Sequence, residues 1–185
     1  MDDSINPWKI NHSKQIYSNN WISLTEHAIT NPVGKPGIYG VVQFKNIAVG
    51  VLPVDEHYNI WLVGQYRFPL QQYSWEIPEG GASMGEDTLV AAARELEEET
   101  GLRATRYTKL VEMHLSNSVS DEYAIVYIAQ GLSQHQPMPE ETEQLLIKKL
   151  PFEAAYEMVE NGEITDSMSV AAILKAKLMM LQGKF

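Results

Sequence analysis

The residue types best suited to chemistry lie together between Gly80 and Leu102, in GGASMGEDTLVAAARELEEETGL. Glu86 to Thr100 is rich in Ala, Leu and Glu, all strong helix formers, and Gly101 stands where a C-terminal glycine would stop the helix. On such a helix Glu95, Glu98 and Glu99 fall at i, i+3 and i+4, so their carboxylates project from one side. Like charges this close destabilise a helix unless a cation gathers them. Leu89, Ala92, Ala93 and Leu96 form the opposite, sheet-facing surface, while Arg94 and Glu97 point elsewhere.

A solvated acidic face is the commonest use of a Glu-rich helix, and three features argue for more here. Glu86 adds a fourth carboxylate at the helix start. Gly80-Gly81 and Gly85 supply a flexible loop leading in, and Trp75-Glu76-Ile77-Pro78-Glu79 forms a compact lead-in from the preceding strand. A hard dication such as Mg²⁺ takes carboxylate oxygens and is usually completed by substrate phosphates. The pattern therefore predicts a metal on the carboxylates and a diphosphate on the metal.

The rest of the composition fits that reading. The chain has 185 residues, with 14 basic against 24 acidic side chains, a formal net charge of -10 and no cysteine. A nucleic-acid binder would show a basic footprint instead, and without cysteine there is no disulfide, thiolate metal site or cysteine nucleophile. No basic-then-apolar leader follows Met1-Asp2-Asp3, and apolar runs such as Ile47 to Val54 are too short to span a bilayer. The expectation is a soluble, cytoplasmic protein with no membrane or nucleic-acid partner.

The elements that must position the helix are mostly strands. Gln15 to Tyr17, Trp21 to Ile29 and Ile38 to Phe44 read as β, punctuated by Asn19-Asn20, Asn31-Pro32 and Gly34-Lys35-Pro36-Gly37. Ile47 to Val54 is a near-continuous apolar run, as expected of a central strand covered on both faces, and Asn59 to Tyr66 follows. After the helix, Arg106 to Leu115 and Tyr123 to Ala129 return to strand character. Gln134 to Glu143 is a polar loop and Leu145 to Lys149 a short strand. Phe152 to Glu160 reads as a helix entered from Pro151, and Asp166 or Ser167 caps a last one. The order predicts an α/β fold with a mixed sheet between helices, an α/β/α sandwich over residues 46–185. An antiparallel β-rich arm precedes it over residues 1–45.

The Gly80–Leu102 segment resembles the Nudix hydrolase box: Gly, five residues, Glu, seven residues, Arg-Glu-apolar, any, Glu-Glu, any, Gly-apolar. Gly80, Glu86, Arg94, Glu95, Leu96, Glu98, Glu99, Gly101 and Leu102 meet every fixed position. The resemblance covers most of the chain and is nearest to the ADP-ribose pyrophosphatases and nucleoside-diphosphate-sugar hydrolases. It is supported by Val63 to Arg67, Trp75 to Gly81, and Gly162-Glu163-Ile164 with Asp166.

The resemblance implies that Glu95, Glu98 and Glu99 bind Mg²⁺ or Mn²⁺, with the backbone carbonyl of Glu79 as an extra ligand. Arg94 would hold a carboxylate, Glu86, in place. Arg67 would bind the substrate diphosphate or ribose phosphate, and Glu76 the substrate or a neighbouring subunit. Trp8, ahead of Tyr17, Trp21 and Tyr39, is the choice for stacking a nucleobase. The catalytic base is expected in the polar loop at Glu143, with Glu122 its rival. The arm implies a homodimer.

One departure stands out. Where the ADP-ribose branch shows a Ser-Pro-Gly-like turn, this chain has Leu115-Ser116-Asn117-Ser118, and Ser116 and Asn117 are suited to sugar hydroxyls. The expected reaction is hydrolysis of the pyrophosphate of ADP-ribose or another nucleoside diphosphate sugar. GDP-mannose, dinucleotides, or a silent ligand-binding module are the alternatives. The isomerase that resembles this fold uses a cysteine, which is lacking here.

Overall fold

The computed structural model describes residues 5–136 and 145–185. The chain forms two compact units, Met1–Asn46 with His114–Glu122, and Ile47–Met113 with Tyr123–Phe185.

The first unit is built on an antiparallel sheet ordered β1 (Lys9–Ser18), β2 (Ile22–Thr30), β3 (Pro36–Phe44). Its turns are set by asparagines. Asn19 Oδ1 accepts from the amides of Trp21 and Ile22, and Asn31 Oδ1 from those of Val33 and Lys35. β1 is longer than its three-residue sequence signal, because β2 pairs along it from Lys9 to Ser18. The Ser116–Asp121 turn is pinned to β3. The Val42 amide donates to Val119 O, the Tyr39 hydroxyl to Ser118 O, and the Phe44 amide to the Asp121 carboxylate.

The second unit holds two sheets. β4 (Asn46–Pro53), β7 (Glu79–Ser83), β8 (Leu102–His114) and β9 (Tyr123–Gln134) form one, in the order β7-β4-β9-β8, with β4 and β9 parallel. β5 (Asn59–Arg67), β6 (Gln72–Glu76) and β10 (Leu146–Pro151) form the other, antiparallel on both sides of β5. Side chains of a strand alternate between faces, so β4 sorts the helices. Val49 and Val51 pack with Ala91, Ala92 and Leu96 of α1 (Thr88–Thr100). Gly50 faces the other way, where a Cβ would lie 2.8 Å from the Met168 side chain of α3 (Ser167–Leu181). α2 (Phe152–Glu160) packs with α3 and β10. The result is the expected mixed α/β sandwich with an antiparallel arm.

Two expectations need correction. Gly80-Gly81 is not a flexible loop, because both residues lie in β7 beside β4. The lead-in before them is likewise ordered as β6 and a corner at Ile77-Pro78. The sheet-facing residues of α1 are also shifted: Ala91, not Leu89, is buried with Ala92 and Leu96. Among the described residues no helix is long and apolar enough to cross a membrane.

Candidate active site

α1 starts at Asp87, whose carboxylate accepts from the Leu89 amide at 2.8 Å, and ends on Gly101 in the left-handed region at φ 70°. These two residues fix which way the row of glutamates faces. Glu99 falls in the same stripe as Ala92 and Leu96 and is only 2% exposed. A solvated acidic face would leave it in water, so that alternative fails for this residue.

Buried carboxylates need partners. Glu99 Oε2 accepts from the Glu79 amide at 3.0 Å, which ties the C-terminal half of α1 to the start of β7. Glu95 lies against the bare backbone of Gly80. A Cβ there would stand 2.5 and 2.6 Å from the two Glu95 carboxylate oxygens. Only glycine leaves this close approach open.

Arg94 does not point elsewhere. Its guanidinium donates to Glu95 at 2.7 Å and to Glu98 and Glu86 at 3.4 Å, and to the Gly81 carbonyl at 3.2 Å. So the expected Arg94–Glu86 pair is present, at the outer edge of hydrogen-bond length, and the tighter bond goes to Glu95. Glu97, by contrast, does turn away, to Arg103.

A second cluster sits at the β5–β6 end. Arg67 grips Glu76 through Nε at 2.9 and 3.0 Å and through Nη2, which also reaches Glu79 at 2.8 Å. Glu76 is 2% exposed. Burial by itself would raise its carboxyl, but the Arg67 bonds outweigh burial and hold it below the ordinary range. Glu79 goes the other way: burial raises its carboxyl, and the neighbouring Asp166 and Glu76 raise it further. Among the described residues its Oε2 is buried with no hydrogen-bond partner.

Several of the sequence-derived residues are thus brought together in the second unit: Glu79, Glu86, Arg94, Glu95, Glu98 and Glu99 around Gly80, and Arg67 with Glu76 beside Glu79. Trp8, Ser116, Asn117 and Glu122 belong to the first unit. There the Trp8 ring meets Tyr39 edge-on at 5.6 Å, and Ser116 O accepts from the amides of Val119 and Ser120. Glu143 lies outside the described residues. Sequence reasoning missed the side chain of Glu79, flagged only for its carbonyl. It also missed Ser169, a small polar residue among the buried Met168, Ala172 and Ile173 of α3.

The donor set suits a hard dication, being all oxygen, with glycine opening space at Glu95. Among the described residues no group of three His, Asp or Glu side chains is gathered as a formed ion site. Arg94 instead engages Glu95 and Glu98, and Glu99 engages the Glu79 amide.

This geometry gathers a carboxylate-rich cluster on a mixed α/β sandwich, and comparison with known proteins gives its family. The Nudix domain model matches residues 44–168, so the chain belongs to the Nudix family. Residues 8–42 match the nucleoside diphosphate sugar hydrolase N-terminal domain. The chain is 35% identical over 162 residues to the ADP-ribose pyrophosphatase of Bacillus subtilis (strain 168), covering 86% of this chain and 87% of that protein. It is 32% identical over 163 residues to the methanol dehydrogenase activator of Bacillus methanolicus, covering 87% and 88%. A solved ADP compounds hydrolase shares the fold at a TM-score of 0.86 and 20% identity, over 99% of this chain and all of that one. The chain is a Nudix-family pyrophosphohydrolase, in a family that generally works with a divalent cation.

Proposed function

We propose that this protein hydrolyses the pyrophosphate of ADP-ribose or a related nucleoside diphosphate sugar, giving a nucleoside monophosphate and a sugar phosphate. The observation that carries this reading is Glu95 set against the bare Gly80 backbone and Glu99 bonded to the Glu79 amide, with Glu98 joined to Glu95 through Arg94. The substrate class is supported by the match of residues 8–42 and by the ADP-ribose pyrophosphatase relative.

Glu95, Glu98 and Glu99, with the Glu79 carbonyl, would hold Mg²⁺ or Mn²⁺. When bound, the cation supplies neutralisation of diphosphate charge and acidification of a nearby water. Arg94 keeps Glu95 and Glu98 oriented, as its bonds to both imply. Glu143 takes the proton of the attacking water at its carboxylate, with Glu122 as the rival base. The water oxygen bonds to one phosphorus, and the bridging P–O bond breaks to release the other phosphate.

Trp8 is assigned to the base, and Ser116 and Asn117 to the sugar. The arm is assigned to a homodimer, and elution at the monomer mass in a sizing experiment would remove that last assignment. The cytoplasm is the proposed location.

The test is product chromatography over ADP-ribose, GDP-mannose, UDP-glucose and dinucleotide polyphosphates, with and without Mg²⁺. Folded protein that turns over none of them overturns the reading. Glu143→Gln is expected to lower turnover by at least ~100-fold with metal binding retained. Unchanged turnover moves the role of base to Glu122.

A further inference from the structure

The Ile77-Pro78-Glu79 corner between β6 and β7 carries the Glu79 main chain to the glutamates of α1, and its own polar groups are satisfied from three directions. The Val51 amide of β4 donates to Pro78 O at 2.8 Å. The Glu79 amide donates to Glu99 at 3.0 Å. The Ile77 amide donates to Ser169 Oγ at 2.9 Å, across 92 residues of sequence. Both Ile77 and Ser169 are fully buried, so no water replaces that bond.

Ser169 is itself held in place. Its amide donates to Asp166 Oδ2 at 2.7 Å, the bond that caps α3. Its neighbour Met168 packs with Ile77 over Gly50, where a Cβ would stand 2.8 and 3.0 Å from the two side chains. A continuous set of short contacts therefore runs from the α3 cap through Ser169 and the corner to Glu99. The family model ends at residue 168, one short of Ser169.

We propose that Ser169 is a positioning residue for the cation site. Its hydroxyl fixes the height of the Ile77–Glu79 corner, so that the Glu79 carbonyl and the Glu99 carboxylate face one cation together. The proposal rests on the cation reading of Glu95, Glu98 and Glu99 given above. Removing the hydroxyl strands a buried amide, and the corner relaxes away from α1 to satisfy it.

The experiment is a Mn²⁺ titration read by electron paramagnetic resonance on the full chain, with thermal melting alongside. Ser169→Ala is expected to weaken Mn²⁺ binding about 10-fold, the lower end for residues that orient metal ligands through other groups. Ile173→Val, a buried change on the same helix without a bond to the corner, is expected to lower the melting temperature and leave Mn²⁺ binding unchanged. Wild-type affinity in Ser169→Ala overturns the proposal, and so does an equal loss in both variants. If Ser169→Ala fails to fold, the near-isosteric Ser169→Cys, a poor acceptor, reads the same bond: weakened binding supports the proposal and wild-type affinity overturns it. A wild-type protein that binds no Mn²⁺ refutes the cation reading itself, which separates the two failures.

Discussion

Gly80→Ala offers a test in which function and stability separate. Gly80 sits in β7 outside the left-handed region, so alanine fits its backbone without strain. The new Cβ would stand 2.5 and 2.6 Å from the Glu95 oxygens, whereas ordinary contact begins at 3.4 Å. The carboxylate carbon would be closer still, so the group retreats by more than about 1 Å, which is possible because it is the end of a flexible side chain. A misplacement near 1 Å at a reacting centre costs about 100-fold in rate, or about 2.7 kcal/mol of transition-state stabilisation. Against this, exchanging glycine for alanine restricts the unfolded chain and stabilises by about 0.4–1 kcal/mol. A loosened Glu95–Arg94 pair, partly exposed, costs a similar amount. The expectation is kcat/KM down about 100-fold on ADP-ribose with Mg²⁺, and a melting temperature within about 3 °C of wild type. Turnover within about threefold of wild type, in folded protein, refutes the reasoning, because it would mean that the position of Glu95 against Gly80 is immaterial.

Three further outcomes follow from the same geometry. Arg67→Met leaves Glu76 buried without its bidentate partner and is expected to cost about 3 kcal/mol, read as a melting temperature lower by roughly 6–12 °C. A raised KM with unchanged melting would assign Arg67 to substrate alone. Asp87→Ala removes the cap of α1 and is expected to cost about 1 kcal/mol in urea unfolding. Asp55 organises the β4–β5 turn and sits 2.8 Å from Lys149. Burial would raise its carboxyl, but the bonds from Lys149, Asn59 and His57 hold it well below the usual carboxylate range. Because its folded value is depressed, its stabilisation is full above the unfolded value near 4 and is lost as pH falls through the folded value. Asp55→Asn is therefore expected to flatten the acid limb of a stability-versus-pH curve below about pH 4, and an unchanged limb would contradict the assignment.

The helix with its glutamates was legible because composition, spacing and the Gly101 stop all agreed on one structure. β7 was not, because Gly80-Gly81 is a poor strand former whose place beside β4 is imposed by tertiary context. The Arg67–Glu76 pair was hidden for a related reason. Both residues are candidates in the sequence, but the ladder sets Arg67 opposite Gln72 and Glu76 opposite Val63, so the contact runs along the hairpin between side chains that pairing does not put face to face. Glu99 illustrates the limit of helical spacing. The i, i+3, i+4 rule groups it with Glu95 and Glu98, yet cannot say that the row borders the buried stripe. Ser169 was visible only as a polar residue on an apolar helix face, a signal that names no partner.

The acidity of the chain takes on structure when the charges are counted where they meet. Among the described residues around Gly80 and the Ile77–Glu79 corner, Glu76, Glu79, Glu86, Glu95, Glu98, Glu99 and Asp166 are accompanied by Arg67 and Arg94. Burial and like charge already push the Glu79 carboxyl upward, the response expected where negative charge outruns its partners. Arg94 shares one charge among three carboxylates, Glu86, Glu95 and Glu98. A second arginine would still leave the carboxylates in excess. An excess of carboxylate of this kind would favour a dication, as the cation reading proposed above requires, and that reading reconciles a net charge of -10 with an anionic substrate.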